Sequence, residues 1–96
     1  MAIQQINATV TDVAQALVTN SGKIAKMRVY LVNTGGTHDL FIGNSTVTSA
    51  NGYVIGKFQS TGINNRFQID LFSGDTLFGI CASGNTTTVT VLIPGN

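Results

Sequence analysis

Apolar and polar residues alternate with a period of two along most of this 96-residue chain. Ala25 to Val32 sets Met27, Val29 and Leu31 on one side and Arg28, Tyr30 and Val32 on the other. Arg66 to Phe72 sets Phe67, Ile69 and Leu71 against Gln68 and Asp70, and Thr86 to Ile93 sets Val89, Val91 and Ile93 against Thr88 and Thr90. Side chains at i and i+2 of a strand share a face, so each segment predicts a strand with one buried face. Asp39 to Gly43 and Tyr53 to Phe58 predict shorter strands, and Thr76 to Ala82 is apolar on both faces.

Turn-forming residues separate these segments. Asn20-Ser21-Gly22, Asn33-Thr34-Gly35-Gly36, Asn51-Gly52, Ser60-Thr61-Gly62, Ser73-Gly74-Asp75, Ser83-Gly84-Asn85 and Pro94-Gly95 supply them. Short strands punctuated in this rhythm predict an all-β chain. One buried face per strand is satisfied most economically by two sheets packed face to face. The expectation is a single antiparallel β-sandwich domain over residues 1–96, jelly-roll-like or immunoglobulin-like, with seven or eight strands.

Residues 2 to 19 admit two readings. Ile6, Ala8 and Val10 alternate with Asn7, Thr9 and Thr11, as in a strand. Val13, Ala14 and Leu17 stand at helical spacing behind Asp12 and Gln15, which are placed like a capping box. The strand reading is preferred, with a second strand over Ala14 to Thr19. Residues 1–12 also read as an extended N-terminal arm. Ile3, Gln4, Gln5 and Ile6 are then its candidate contacts with a neighbouring chain.

Composition supports strands and argues against several functions. Thirteen Thr, nine Val and nine Ile are β-branched, and glutamate and tryptophan are absent. Charged residues make up 9% of the chain, against about 25% in an average domain. Five basic and four acidic residues, net charge +1, do not build a phosphate-binding groove, so no nucleic-acid partner is expected. A monomer of 10.1 kDa buries only about 64% of its unfolded surface, and one cysteine excludes an internal disulfide. A small core with a weakly charged surface favours a component of an assembly, a homo-oligomer, over a free monomer. The N-terminus lacks a basic and apolar leader pattern and no apolar run is long enough to cross a membrane, so cytoplasmic synthesis without membrane association is expected.

Candidate chemistry is thin. His38 precedes Asp39, but neighbours on a strand point to opposite faces, so a relay needs other partners. Cys81 has no basic neighbour in sequence and reads as a buried thiol. Asp70 and Asp75, five apart across a turn, are the best-placed carboxylates for a cation, and still read better as solvated. No metal, cofactor or small-molecule ligand is expected. Thr34-Gly35-Gly36-Thr37 lacks the lysine and following helix of a phosphate loop. Three Asn-X-Thr sequons, at Asn7, Asn44 and Asn85, are close to what this Asn-, Ser- and Thr-rich composition yields by chance. Among the aromatics, Phe41, Phe67 and Phe78 are expected in the core, while Tyr30, Tyr53 and Phe72 are expected at its edge or outside.

From Met27 to Leu92 the chain runs Val29-Tyr30-Leu31-Val32-Asn33, then Leu40-Phe41-Ile42-Gly43-Asn44, then Val47 to Tyr53, then Thr76 to Ala82 and a valine-rich strand. This succession resembles the small β-sandwich decoration (cement) and head structural proteins of tailed bacteriophages. The resemblance implies a β-sandwich with no enzymatic activity and no cofactor. It also implies trimers bound to the major capsid protein on the outside of an assembled head. It carries no individual contact residue over. The alternative is a fibre or tail-tip module binding host-surface carbohydrate through Tyr30, Tyr53 and loop asparagines.

Overall fold

The computed structural model describes residues 3–57 and 65–94. Met1, Ala2, the Phe58 end of the expected strand from Tyr53, the Ser60-Thr61-Gly62 turn and Gly95 lie outside the described residues. Eight strands follow in order: β1 (Gln4–Val10), β2 (Gln15–Thr19), β3 (Lys26–Asn33), β4 (Leu40–Gly43), β5 (Tyr53–Ile55), β6 (Arg66–Phe72), β7 (Thr76–Ile80) and β8 (Thr87–Ile93). Among the described residues there is no helix, and so none long and apolar enough to cross a membrane. The segment at Val13 to Leu17, with its helical spacing, is therefore not helical: Asp12 and Val13 form a bend, and Gln15 to Leu17 belong to β2. Residues 4–10, expected in one reading as part of an arm, are a strand of the sandwich.

The strands form two four-stranded sheets. Sheet I has the order β1-β8-β3-β6 and sheet II the order β2-β7-β4-β5. Every pairing is antiparallel. The pairs β1–β8, β2–β7, β3–β6 and β4–β5 nest inside one another, so the chain is one long hairpin with its tip between β4 and β5, rolled into two layers. This is a jelly roll. It differs from an immunoglobulin-like sandwich, whose first two strands are neighbours in one sheet.

Rolling the ribbon creates three corners where two connections cross side by side, and polar side chains tie each. At the first, Asp12 accepts a bond from Gly84 N (2.9 Å) and Thr11 O accepts one from Cys81 N (2.8 Å). At the second, buried Asn20 donates through Nδ2 to Ile24 O (3.2 Å) and Leu71 O (2.9 Å), and its Oδ1 accepts from Gly22 N (3.0 Å). At the third, fully buried Asn33 donates to His38 O and Ile55 O (both 3.2 Å) and accepts from Gly35 N (3.1 Å) and Thr87 Oγ1 (2.6 Å). That uses the full capacity of the amide. Asn20 and Asn33 stand at opposite ends of β3 and β6, and each joins sheet I to sheet II. Gly22, Gly74 and Gly84, with φ of 99°, 88° and 80°, make the tight turns at the first two corners.

Between the sheets lie Val10, Leu17, Val18, Val29, Leu31, Leu40, Ile42, Ile55, Leu71, Leu77, Cys81, Val89, Val91 and Ile93. On β3, β6 and β8 the core residues, Val29, Leu31, Leu71, Val89, Val91 and Ile93, are inward positions that period-two alternation assigns. Leu17 and Val18 both reach the core because the β2–β7 register shifts between Ala16 and Val18. Phe67 packs against the core, as expected. Phe41 and Phe78 do not belong to it. Leu40 and Ile42 hold the inward positions of β4, and Leu77 and Gly79 those of β7, so both rings alternate onto the outer face of sheet II and are half-buried there. Val47 builds a small apolar cover beside Phe41, because the β4–β5 loop folds back over Gly43 and Gly52.

Truncating Asn33 orphans two carbonyls, an amide and a hydroxyl inside the protein, at about 1–3 kcal/mol for each that finds no water. Asn33→Ala and Asn20→Ala are expected to lower the unfolding free energy by about 2–4 kcal/mol each, while exposed Ser49→Ala changes it by less than about 0.5 kcal/mol. Urea denaturation followed by circular dichroism measures all three. Gly35→Ala is expected to fall with the asparagine variants, because a Cβ there overlaps Thr87 Oγ1.

Candidate functional site

The chemically versatile side chains are dispersed and mostly committed to the fold. His38 donates from Nδ1 to Thr86 O (3.0 Å), while its neighbour Asp39 accepts from Lys57 N (2.9 Å). The two do not bond to each other. Asp75 accepts from Phe72 N (2.9 Å) and closes the turn between β6 and β7. Asp70 faces away from that turn and pairs with Arg28 (3.2 Å) and, more loosely, with Lys26 (4.0 Å). Among the described residues, no three His, Cys, Asp or Glu side chains converge on a metal-sized site.

Cys81 is buried, with Sγ donating to Val10 O at 3.5 Å. Burial pushes its pKa up and the nearby Asp12 charge adds to the shift, so the thiol stays protonated and unreactive. Folding binds a proton that the unfolded thiol releases at high pH. Stability from this group is therefore complete below the ordinary thiol pKa of about 8.5 and declines above it. A thiol reagent is expected to react with Cys81 only after denaturation. The urea midpoint is expected to fall between about pH 7 and pH 9.5 by more in the wild type than in Cys81→Ala.

The outer face of sheet I has a different character. The registers place Gln5, Leu92, Tyr30 and Gln68 in one row across the four strands, and Asn7, Thr90, Val32 and Arg66 in the next. Tyr30, Val32, Arg66, Gln68, Thr90 and Leu92 line a shallow depression of about 510 Å³. Tyr30 and Leu92 are 39% and 38% exposed, large apolar groups left in water by the folded chain. Further along the same face come Arg28 beside Asp70, then Lys26 beside Phe72, which is 59% exposed. The bond to Asp70 holds the exposed Arg28 guanidinium still more firmly protonated. Three of the five basic residues and one of the four acidic ones thus lie on one face, which carries net positive charge among aromatic and aliphatic groups.

Tyr53, also exposed, belongs elsewhere. Its ring packs on Phe67 from β6, with centroids 5.0 Å apart at 46°, and closes the side of the sandwich between β5 and β6. Phe67 points to the core side of sheet I and its neighbour Gln68 points outward beside Tyr30, so the two tyrosines do not share a platform. The loop asparagines are also engaged: Asn44 Oδ1 accepts from Thr46 N (2.9 Å) and Thr46 Oγ1 (2.6 Å), and Asn51 Oδ1 from Thr48 N (2.7 Å). Ile3, Gln4 and Gln5 are exposed and Ile6 is half-buried, all at the β1 edge of sheet I. Arg66, Gln68 and Leu92 are surface residues that sequence reasoning did not single out. Their signal is cross-strand register, which alternation within one strand does not contain.

The chain matches no protein-family profile, no curated protein and no solved structure. The resemblance to phage head proteins therefore gains nothing from these comparisons.

Proposed function

We propose that this chain is a non-catalytic structural protein that decorates the outside of an assembled bacteriophage head, with the outer face of sheet I docked on an acidic surface of the major capsid protein. The observation that carries the reading is the row of exposed Tyr30 and Leu92 beside Arg66 and Arg28. Interfaces are enriched in aromatic residues and arginine, and these anchors carry most of the binding energy. Charge complementarity selects a partner with carboxylates, because the face itself is net positive. The jelly-roll order is compatible with this reading, since it is one of the folds used for capsid domains. The sparse charge elsewhere also agrees with a protein that spends its life attached to something larger. Of Ile3, Gln4, Gln5 and Ile6 at the β1 edge, Gln5 lies in the outward row of this face and extends the contact, while Ile6 turns inward with Ala8 and Val10.

Bound to a lattice, the protein is present in hundreds of copies per particle, countable by quantitative mass spectrometry of purified virions. A handful of copies rejects decoration and favours a fibre or tail tip. Tyr30→Ala and Arg66→Ser are each expected to weaken binding to undecorated heads by about 30-fold, the effect of a hot-spot residue. Val54→Ser, on the outer face of sheet II, leaves binding unchanged. Co-sedimentation across a concentration series reads all three.

A second reading has one observation in its favour. Tyr30 flanked by Gln68, Thr90 and Arg66 offers a stacking ring with hydrogen-bonding neighbours, which suits an acidic sugar in the same depression. A glycan array separates the two readings: binding that Tyr30→Ala abolishes supports the sugar, and an empty array leaves the coat protein.

A further inference from the structure

Two sheets have four edges, and three of them are blunted. β5 is three residues long. β2 has an irregular register between Ala16 and Val18. β6 carries Arg66 and Asp70. Short length, bulges and charges are the usual devices that stop a sheet edge from pairing with another chain. β1 has none of them. It is seven residues, Gln-Gln-Ile-Asn-Ala-Thr-Val, without charge, proline or glycine. It pairs with β8 in an unbroken register from Gln4 opposite Ile93 to Val10 opposite Thr87. Among the described residues no strand pairs with its other side. Alternate residues of such a strand direct both N–H and C=O away from the sheet.

We propose that the free edge of β1 pairs antiparallel with β1 of a second copy of this chain, about a two-fold axis at Asn7. The sequence of the strand is complementary to itself in that arrangement. Asn7 stands opposite Asn7, Gln5 opposite Thr9, Ile6 opposite Ala8 and Gln4 opposite Val10. The outward row then consists of amides and hydroxyls that hydrogen-bond across the seam, and the inward row includes the apolar pair Ile6–Ala8. No like charges meet at the axis. The core also lies open on this side. A crevice of about 320 Å³ separates the β1 and β2 edges, lined among others by Gln4, Ile6, Leu17, Met27 and Ile93. Ile6, Ala8 and Met27 are only partly buried against the core. A second β1 continues sheet I past this opening and brings its own inward Ile6 and Ala8 beside it.

The pair is an isologous dimer with one continuous eight-stranded outer sheet. It differs from the three-fold assembly implied by the resemblance to decoration proteins. It does not depend on what the protein binds. It does place two copies of the Tyr30 depression on one side of a single sheet, where they can engage a repetitive partner together.

Gel filtration with light scattering tests the dimer on the full chain. The wild type is expected at the mass of two 10.1 kDa chains. Asn7→Lys sets two ammonium groups against each other at the axis and is expected at the mass of one chain, with unchanged circular dichroism. Oxidised Asn7→Cys is expected to form a disulfide-linked pair. Thr88→Cys, on the same outer face but one strand inward, is expected to form none, because the two β8 strands are about 14 Å apart across the seam. Cys81 is buried and does not interfere. A wild-type mass of one or three chains overturns the proposal. So does an Asn7→Lys variant that keeps the mass of two chains, or an Asn7→Cys variant that links no better than Thr88→Cys.

Discussion

A buried amide holds the two layers of this protein together. Asn33 ends β3 in sheet I, and its side chain reaches carbonyls at the start of β4 and the end of β5, the Gly35 amide, and the hydroxyl that opens β8. Asn20 does the same work at the opposite end of the sandwich, between the end of β2 and Leu71 on β6. Apolar burial drives the sheets together but is not directional. The amides add direction, since they are satisfied only when the rolled hairpin closes with its corners in register. In a core without disulfides, such satisfied buried polar groups favour the one arrangement in which every partner is in place.

The same roll divides the outside into unlike surfaces. Sheet II shows half-buried Phe41 and Phe78, and the β4–β5 loop folds part of its own apolar content over β4 through Val47. Among the described residues, sheet I has no such cover. Its outer face gathers Tyr30, Leu92 and Phe72 with Lys26, Arg28 and Arg66, from strands far apart in sequence. Two of the three exposed rings and three of the five cations are thus concentrated on one face. The β1 edge borders it directly, through the rows that run from Gln5 to Gln68 and from Asn7 to Arg66.

Much of the fold was legible because strand alternation is a local property. β6 is found over Arg66–Phe72, and β3 and β8 lie within one residue of their expected bounds at each end. Their inward sides follow the alternation of Val29 and Leu31, of Leu71, and of Val89 and Val91. Alternation misleads where both faces of a strand are apolar. Phe41 and Phe78 have the composition of core residues, and only the packing of Leu40, Ile42 and Leu77 between the layers puts the rings outside. Tyr30 was recognisable as an outward ring, whereas its separation from Tyr53 depends on the two rings lying on opposite sides of β6.

The chain by itself determined its class and its turns: β-branched residues at period two commit it to half-buried strands, and Asn, Gly and Asp mark where they end. It also determined the chemistry available, a few scattered ionisable groups and one unactivated thiol. The tertiary structure alone decided that these strands nest as a rolled ribbon, which corner each buried asparagine closes, and which side chains become neighbours. The physical reason is that strand pairing joins residues up to about ninety positions apart through backbone bonds common to nearly all residues, so the order of strands leaves little trace in any local stretch of sequence.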